Sequence, residues 1–318
     1  MAYAPVSHLD RPRTVAFLAL GLLATLAGCS VPSQPAVTVP TVVRAAAAPS
    51  PPSPRVYVWT TGANDAAPVT HVLSDAGDVL DELPGVHVSA AGTLWTWEES
   101  PETIETTPCE DDPERPAGEG HATRARLVPE DKSRATLTIV TPVDGGEVNE
   151  VDQSARVLAS VGPYVFVEES TYAYMCGAHG NTGVAFAVWN IDEGAPVDLV
   201  ADLPNRDDIA AAGKKVIDDG PDATDFTEDG ETASISEVLP HIGAEPRLQA
   251  TALVTVPSCY ACTQGGWGSY TMSTLVDSPL PPRLEALGAI PRAVSAFAAR
   301  HPELSIGGYS IGPTGSKG

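Results

Sequence analysis

The chain has 318 residues, 43% of them hydrophobic and 19% charged, and a formal net charge of −23 at pH 7. An apolar share of that size, over that length, suffices for one large domain or two small ones. The acid excess excludes nucleic acid and anionic lipid headgroups as direct partners of the folded surface, because both require a basic patch.

At the N-terminus, Arg11 and Arg13 precede an uncharged apolar run from Val15 to Ala27. The run suits the h-region of an export signal and falls short of the roughly 20 residues that span a bilayer. It closes on Leu26-Ala27-Gly28-Cys29, small residues before a cysteine, and so resembles the lipobox of bacterial lipoproteins. The resemblance implies removal of residues 1–28, a diacylglyceryl thioether on Cys29 and acylation of its freed amino group. Several acyl chains anchor firmly where a single one holds marginally. It also implies a body outside the cytoplasm. In an organism with two membranes Ser30 favours the outer one, since an inner-membrane retention signal would place Asp there. Residues 29–55 then form a tether, with seven prolines from position 30 on and four consecutive alanines. Such a segment has no periodic apolar face, and extends about 3.1 Å per residue.

From residue 56 onward strand signals dominate. Residues 56–100 read as a β-hairpin region. Val56–Thr60 is β-prone, and His71–Leu80 and Val86–Trp95 read as two hairpins turning at Gly77 and Gly92. Trp95 and Trp97 share a strand face, which fits packing better than a sugar platform. Residues 101–132 read as an acidic loop. Eleven carboxylates fall between Glu98 and Asp131, and seven more between Asp218 and Glu231. Neither stretch has an apolar period or fits a calcium loop, and both are expected to be solvated. Residues 133–318 form the main body, with strands expected at Ala135–Val140, Ala155–Ser160, Tyr164–Tyr174, Gly183–Ile191, Gln249–Val256 and Ser269–Val276. Helices are expected at Asp207–Ile217, with acids at its start and lysines at its end, and at Pro291–Arg300. The whole predicts an α+β fold, mainly antiparallel sheet with one or two packed helices.

Besides Cys29 there are four cysteines, Cys109, Cys176, Cys259 and Cys262. In an oxidising compartment an even count indicates two disulfides, and three pairings exist. Cys109 with Cys176 and Cys259 with Cys262 is the favoured set. The alternative is zinc held by Cys176-Gly-Ala-His179 and Cys259-Tyr-Ala-Cys262, whose ligand types suit tetrahedral coordination. A redox role for Cys259 and Cys262 is set aside, because turn material rather than a helix follows them.

The stretch Tyr172-Ala-Tyr174-Met-Cys-Gly177-Ala178-His179-Gly180-Asn181 resembles a loop in the extracellular domains of RsiV-type anti-sigma factors and PdaC-type cell-wall deacetylases. In chain order there follow Asn190-Ile-Asp192-Glu-Gly194, Asp198-Leu-Val-Ala-Asp202-Leu203 and the helix from Asp207, about 60 residues in all. This chain has Cys176 where the first glycine of the resembled loop stands. The resemblance implies an α+β sensing or binding domain, and for the RsiV type the bound partner is lysozyme, a generally cationic protein that suits an acidic surface.

Gly308-Tyr-Ser310-Ile-Gly312 spells the nucleophile-elbow pattern, yet no helix, Asp or His can follow it, so no catalytic residue is assigned. No cofactor or metal site is expected. His179 and Asn181, on the Gly-rich loop, are the candidate binding residues. The reading is therefore an exported, membrane-anchored binding or sensing module, possible partner a cationic protein such as lysozyme. The alternatives are an envelope hydrolase or zinc-dependent enzyme using His179, and a purely structural envelope component.

Overall fold

Strands begin wherever β-branched and aromatic residues cluster, and the longest such runs become the spine of the molecule. In the computed structural model, β8 (Glu150–Val161), β9 (Tyr164–Tyr174) and β10 (Asn181–Asn190) pair consecutively and antiparallel. The structure describes residues 54–62, 66–109, 118, 120–144, 148–176, 179–220, 232–243, 247–258 and 270–314, all within the compact unit Ser50–Gly318. The export signal, Cys29 and the tether before residue 54 lie outside these residues.

The spine continues through β15 (Ser305–Thr314), β1 (Pro54–Thr61), β2 (Val69–Leu73) and β3 (Val79–Pro84), and β11 (Ala195–Val197) closes its other edge. A wing leaves this path at β8. There β6 (Gly120–Pro129) pairs in parallel with the first residues of β8, Val151 and Asp152, whereas β15 pairs in parallel with its last, Ser160 and Val161. The wing is completed by β5 (Thr93–Ile104), which pairs with β6 and with β4 (His87–Ala90), and by β7 (Leu137–Val140). One 12-stranded sheet thus forks at β8, and a separate three-stranded sheet joins β12 (Ser234–Ile242), β13 (Leu248–Pro257) and β14 (Thr271–Ser278).

The two hairpins form as the sequence predicts, with φ of 81° at Gly77 and 78° at Gly92, values that glycine adopts without steric cost. Alternation along each strand sends neighbours to opposite faces. Val56, Val58 and Phe166 face one cluster with Leu248, Leu284, Val294 and Phe297, under the helices α2 (Pro282–Glu285) and α3 (Arg292–Arg300). Trp59, Val165 and Val167 face another, with Val88, Trp95, Ala125 and Leu127 of the wing. A third cluster lies between α1 (Arg206–Asp218) and the small sheet, around Ile209, Val238, Ala252 and Val254. Full burial of each Leu, Val or Phe side chain contributes roughly 1.5–3 kcal/mol.

Two expectations are corrected. The fold is mostly β rather than α+β, with 56% of the described residues in strands and 12% in helices. Both expected helices form, but β12 and β15 add strands at stretches whose Pro, Gly and polar residues conceal them. Within the acidic loop expected over 101–132, residues 101–104 end β5 and residues 120–129 form β6, and the two strands pair. Glu98 lies directly across from Arg126, and Glu102 sits 2.7 Å from Arg124 Nε. A charge run in one dimension becomes, across strands, a set of opposite-charge pairs that favour pairing.

Candidate functional site

β9 and β10 form one long hairpin, with Tyr164–Ala173 set against Asn190–Asn181. Nearest its end among the described residues are Cys176 and His179, while Asn181 is the first residue of β10, opposite Ala173. Met175 and His179 are exposed there. Gly177 and Ala178, between them, lie outside the described residues. Cys176 has φ of 58°, a left-handed conformation that costs a residue with a side chain roughly 1–2 kcal/mol and glycine almost nothing. What holds it here is covalent, because Cys176 is joined to Cys109 in a disulfide with Cα atoms 5.4 Å apart.

That bond is the pairing favoured from the sequence, and it removes the Cys176 thiolate from the alternative zinc set. Cys259 and Cys262 lie outside the described residues. Among the described residues no three His, Cys, Asp or Glu side chains are grouped as metal ligands. Backbone hydrogen bonds reinforce the tie. Thr107 N–H donates to Val148 O at 2.9 Å, Gly118 N–H to Asn149 O at 3.0 Å, and Asn149 N–H to Tyr174 O at 2.8 Å. Thr107, Cys109 and Gly118 are thus fixed close to the end of the hairpin. Asn181 Oδ1 is enclosed without a hydrogen-bond donor among the described residues, a costly state for a polar atom.

The nucleophile-elbow pattern is a strand. Ser310 lies in β15, 1% exposed, and its Oγ accepts the Ser89 N–H at 2.7 Å. The hydroxyl knits β15 to the wing and faces no open space. Of the paired tryptophans, Trp95 is buried and donates Nε1–H to Ala90 O, while Trp97 is only half-buried.

One group escapes sequence reasoning. Glu237, in β12, is 6% exposed and borders an open cleft of about 530 Å³ together with Asp198. Burial pushes its carboxyl up to about 7, the Val238 N–H donated to its Oε1 pulls it down, and Asp198 pushes it up further. The strand slips register between Ile235 and Glu237, which turns the acid inward. Its only trace in the sequence is an acid beside Val238 and Leu239 in the Ile235–Leu239 stretch, and such a trace is too common to single out.

Fold and site together define a mostly β protein whose β9–β10 hairpin is tied at its end by the Cys109–Cys176 disulfide. No family model matches the sequence. No curated protein matches it either. Among solved structures, the crystal structure of a DUF3298 family protein from Pseudomonas aeruginosa is similar at 13% identity and a TM-score of 0.32, over 63% of this chain and 95% of that one. A likeness so distant carries no argument about function.

Proposed function

We propose that the chain is an exported, lipid-anchored binding module whose recognition end is the disulfide-tied tip of the β9–β10 hairpin, and whose partner is a cationic protein such as a lysozyme. The observation that carries this reading is the Cys109–Cys176 bond. It fixes Cys109 beside the exposed Met175 and His179, and in the sequence Cys109 is followed by Glu110, Asp111, Asp112 and Glu114. A net charge of −23 attracts a cationic protein at long range and speeds its encounter. A disulfide also fits an oxidising compartment outside the cytoplasm, in line with the lipobox-like Leu26–Cys29. The resemblance of Tyr172–Asn181 to the RsiV-type loop supports lysozyme as the first partner to test.

The test is association of the mature protein with a lysozyme, measured across a salt series. Binding should weaken steeply as ionic strength rises, and reversing Glu110, Asp111, Asp112 and Glu114 to Lys should weaken it at low salt as well. Absence of binding at low salt would remove lysozyme. Binding indifferent to both salt and charge reversal would remove the acidic segment as its basis.

A further inference from the structure

The fork in the large sheet opens a groove that the hairpin end does not reach. Where the wing strand β5 diverges from β1, β8 and β15, a space of about 540 Å³ is bounded by Trp59, Trp97, Glu99, Arg156 and Leu158, among others. Such a volume lies in the range that small ligands occupy, and a few placed polar groups on apolar walls are what recognition of a small molecule requires.

Each polar group here is pre-set. Trp97 donates its Nε1–H to Glu99 Oε1 at 2.6 Å, which fixes the indole and the carboxylate together. Across the groove Arg156 is gripped side-on by the buried Glu168, Nε to Oε1 at 2.8 Å and Nη2 to Oε2 at 2.9 Å. A guanidinium has five N–H donors, and this grip uses two, so three have no acceptor among the described residues. Trp59 is held in place by its own Nε1–H to Ser160 Oγ bond at 2.8 Å.

The charges decide what fits. Arg156 is neutralised by Glu168, and Glu99 leaves the groove slightly negative inside a strongly acidic chain, so an anion is disfavoured. Arg156 has no acceptor to offer a cation, and one Glu99 oxygen is already taken by the Trp97 Nε1–H, so a cationic group would leave the guanidinium donors unmatched. A purely apolar ligand would displace water from the three guanidinium donors and the Glu99 carboxylate without replacing its hydrogen bonds, which opposes its binding. What remains is a neutral molecule with an apolar face for an indole and several hydroxyls at its edge. We infer that this groove is a binding site for a neutral saccharide, one sugar ring stacking on Trp97 with vicinal hydroxyls shared between Arg156 and Glu99. The site is separate from the hairpin end and does not depend on a protein partner there.

Indole ¹⁵N resonances of the full protein, with five tryptophans to resolve, provide the test. Trp97 is assigned through Trp97→Phe, and N,N′-diacetylchitobiose, cellobiose and maltose are titrated beside galacturonic acid as a charged control. At least one neutral disaccharide should shift the Trp97 resonance saturably, with a Kd on the order of 1 mM. Glu99→Gln, at an exposed position that leaves the fold intact, should weaken that binding severalfold, and galacturonic acid should bind less well. If none of the three disaccharides moves the Trp97 resonance, or if Glu99→Gln binds as tightly as the parent, the inference is wrong.

Discussion

Glu237 shows how a single buried acid can set the pH response of the protein. Its carboxyl is raised from an ordinary value of 4.5 to about 7, chiefly by burial. Between those values the folded chain binds a proton that the unfolded chain has released, so stability falls as pH rises. Its contribution is complete below about 4.5, declines through the window and reaches a floor above 7. Glu237→Gln keeps an acceptor for the Val238 N–H and cannot ionise. The gain in unfolding free energy on substitution should therefore be larger at pH 8 than at pH 4, by about 3 kcal/mol for a shift of this size. Comparing the two pH values cancels whatever the buried amide itself costs. Denaturant melts of both proteins at both values check this, and a gain independent of pH would show that Glu237 is ionised as easily in the fold as in water. Nothing in the sequence around Ser236-Glu237-Val238 announces this, because burial is a property of the register slip and not of neighbouring residues.

At the scale of elements, the legible ones are those whose local chemistry and tertiary environment agree. β9 occupies Tyr164–Tyr174, the span its aromatic and β-branched residues predict. α1 is likewise foreshadowed by Asp207 and Asp208 at its start and lysines at its end, and it adds Lys214–Asp218 and Lys215–Asp219 pairs one turn apart. The β5–β6 ribbon was hidden for the opposite reason. Its glutamates Glu102 and Glu98 meet arginines 22 and 28 positions away, a relation that no local window contains. The same limit applies to Gly213 in α1. Helix propensity alone says that alanine there should stabilise by about 1 kcal/mol. Yet α1 lies so close to β13 that a Cβ at 213 would sit 2.4 Å from Val254 Cβ, well inside any real contact. Separating helix and strand disturbs the Ile209, Val238 and Val254 cluster, and overpacking of this kind costs about 1–3 kcal/mol. Gly213→Ala should therefore lower the melting temperature, whereas Val216→Ala on the exposed face of the same helix should leave it nearly unchanged. A Gly213→Ala protein as stable as the parent would mean that α1 can shift without loss.

Over the whole molecule, the last strand is the keystone, and it is also the element least visible in the sequence. Gly307, Gly308 and Gly312 give β15 poor intrinsic strand propensity. The reason for glycine lies in its neighbours, since a Cβ at Gly308 would meet Ser160 O at 2.3 Å. Lying between β1 and β8, this strand joins the first described strand to the spine, and Ser310 ties it to β4 of the wing. Tyr309 adds a hydroxyl bond to Leu287 O at 2.8 Å, with burial pushing that phenol up to about 12. Removing residues 305–318 would therefore bare the edges of β1 and β8 at once, at the centre of the sheet rather than its rim, and open both large apolar clusters. Strands with unpaired edges and exposed apolar surface lose specific packing before they lose secondary structure. The truncated chain should keep a β-type far-ultraviolet spectrum, bind a hydrophobic dye and show no cooperative thermal transition, while the full chain melts cooperatively. A sharp transition in the truncated chain would mean that β1 and β8 find each other without β15, and that the fork is held from the wing side by the Trp95 and Val167 cluster alone.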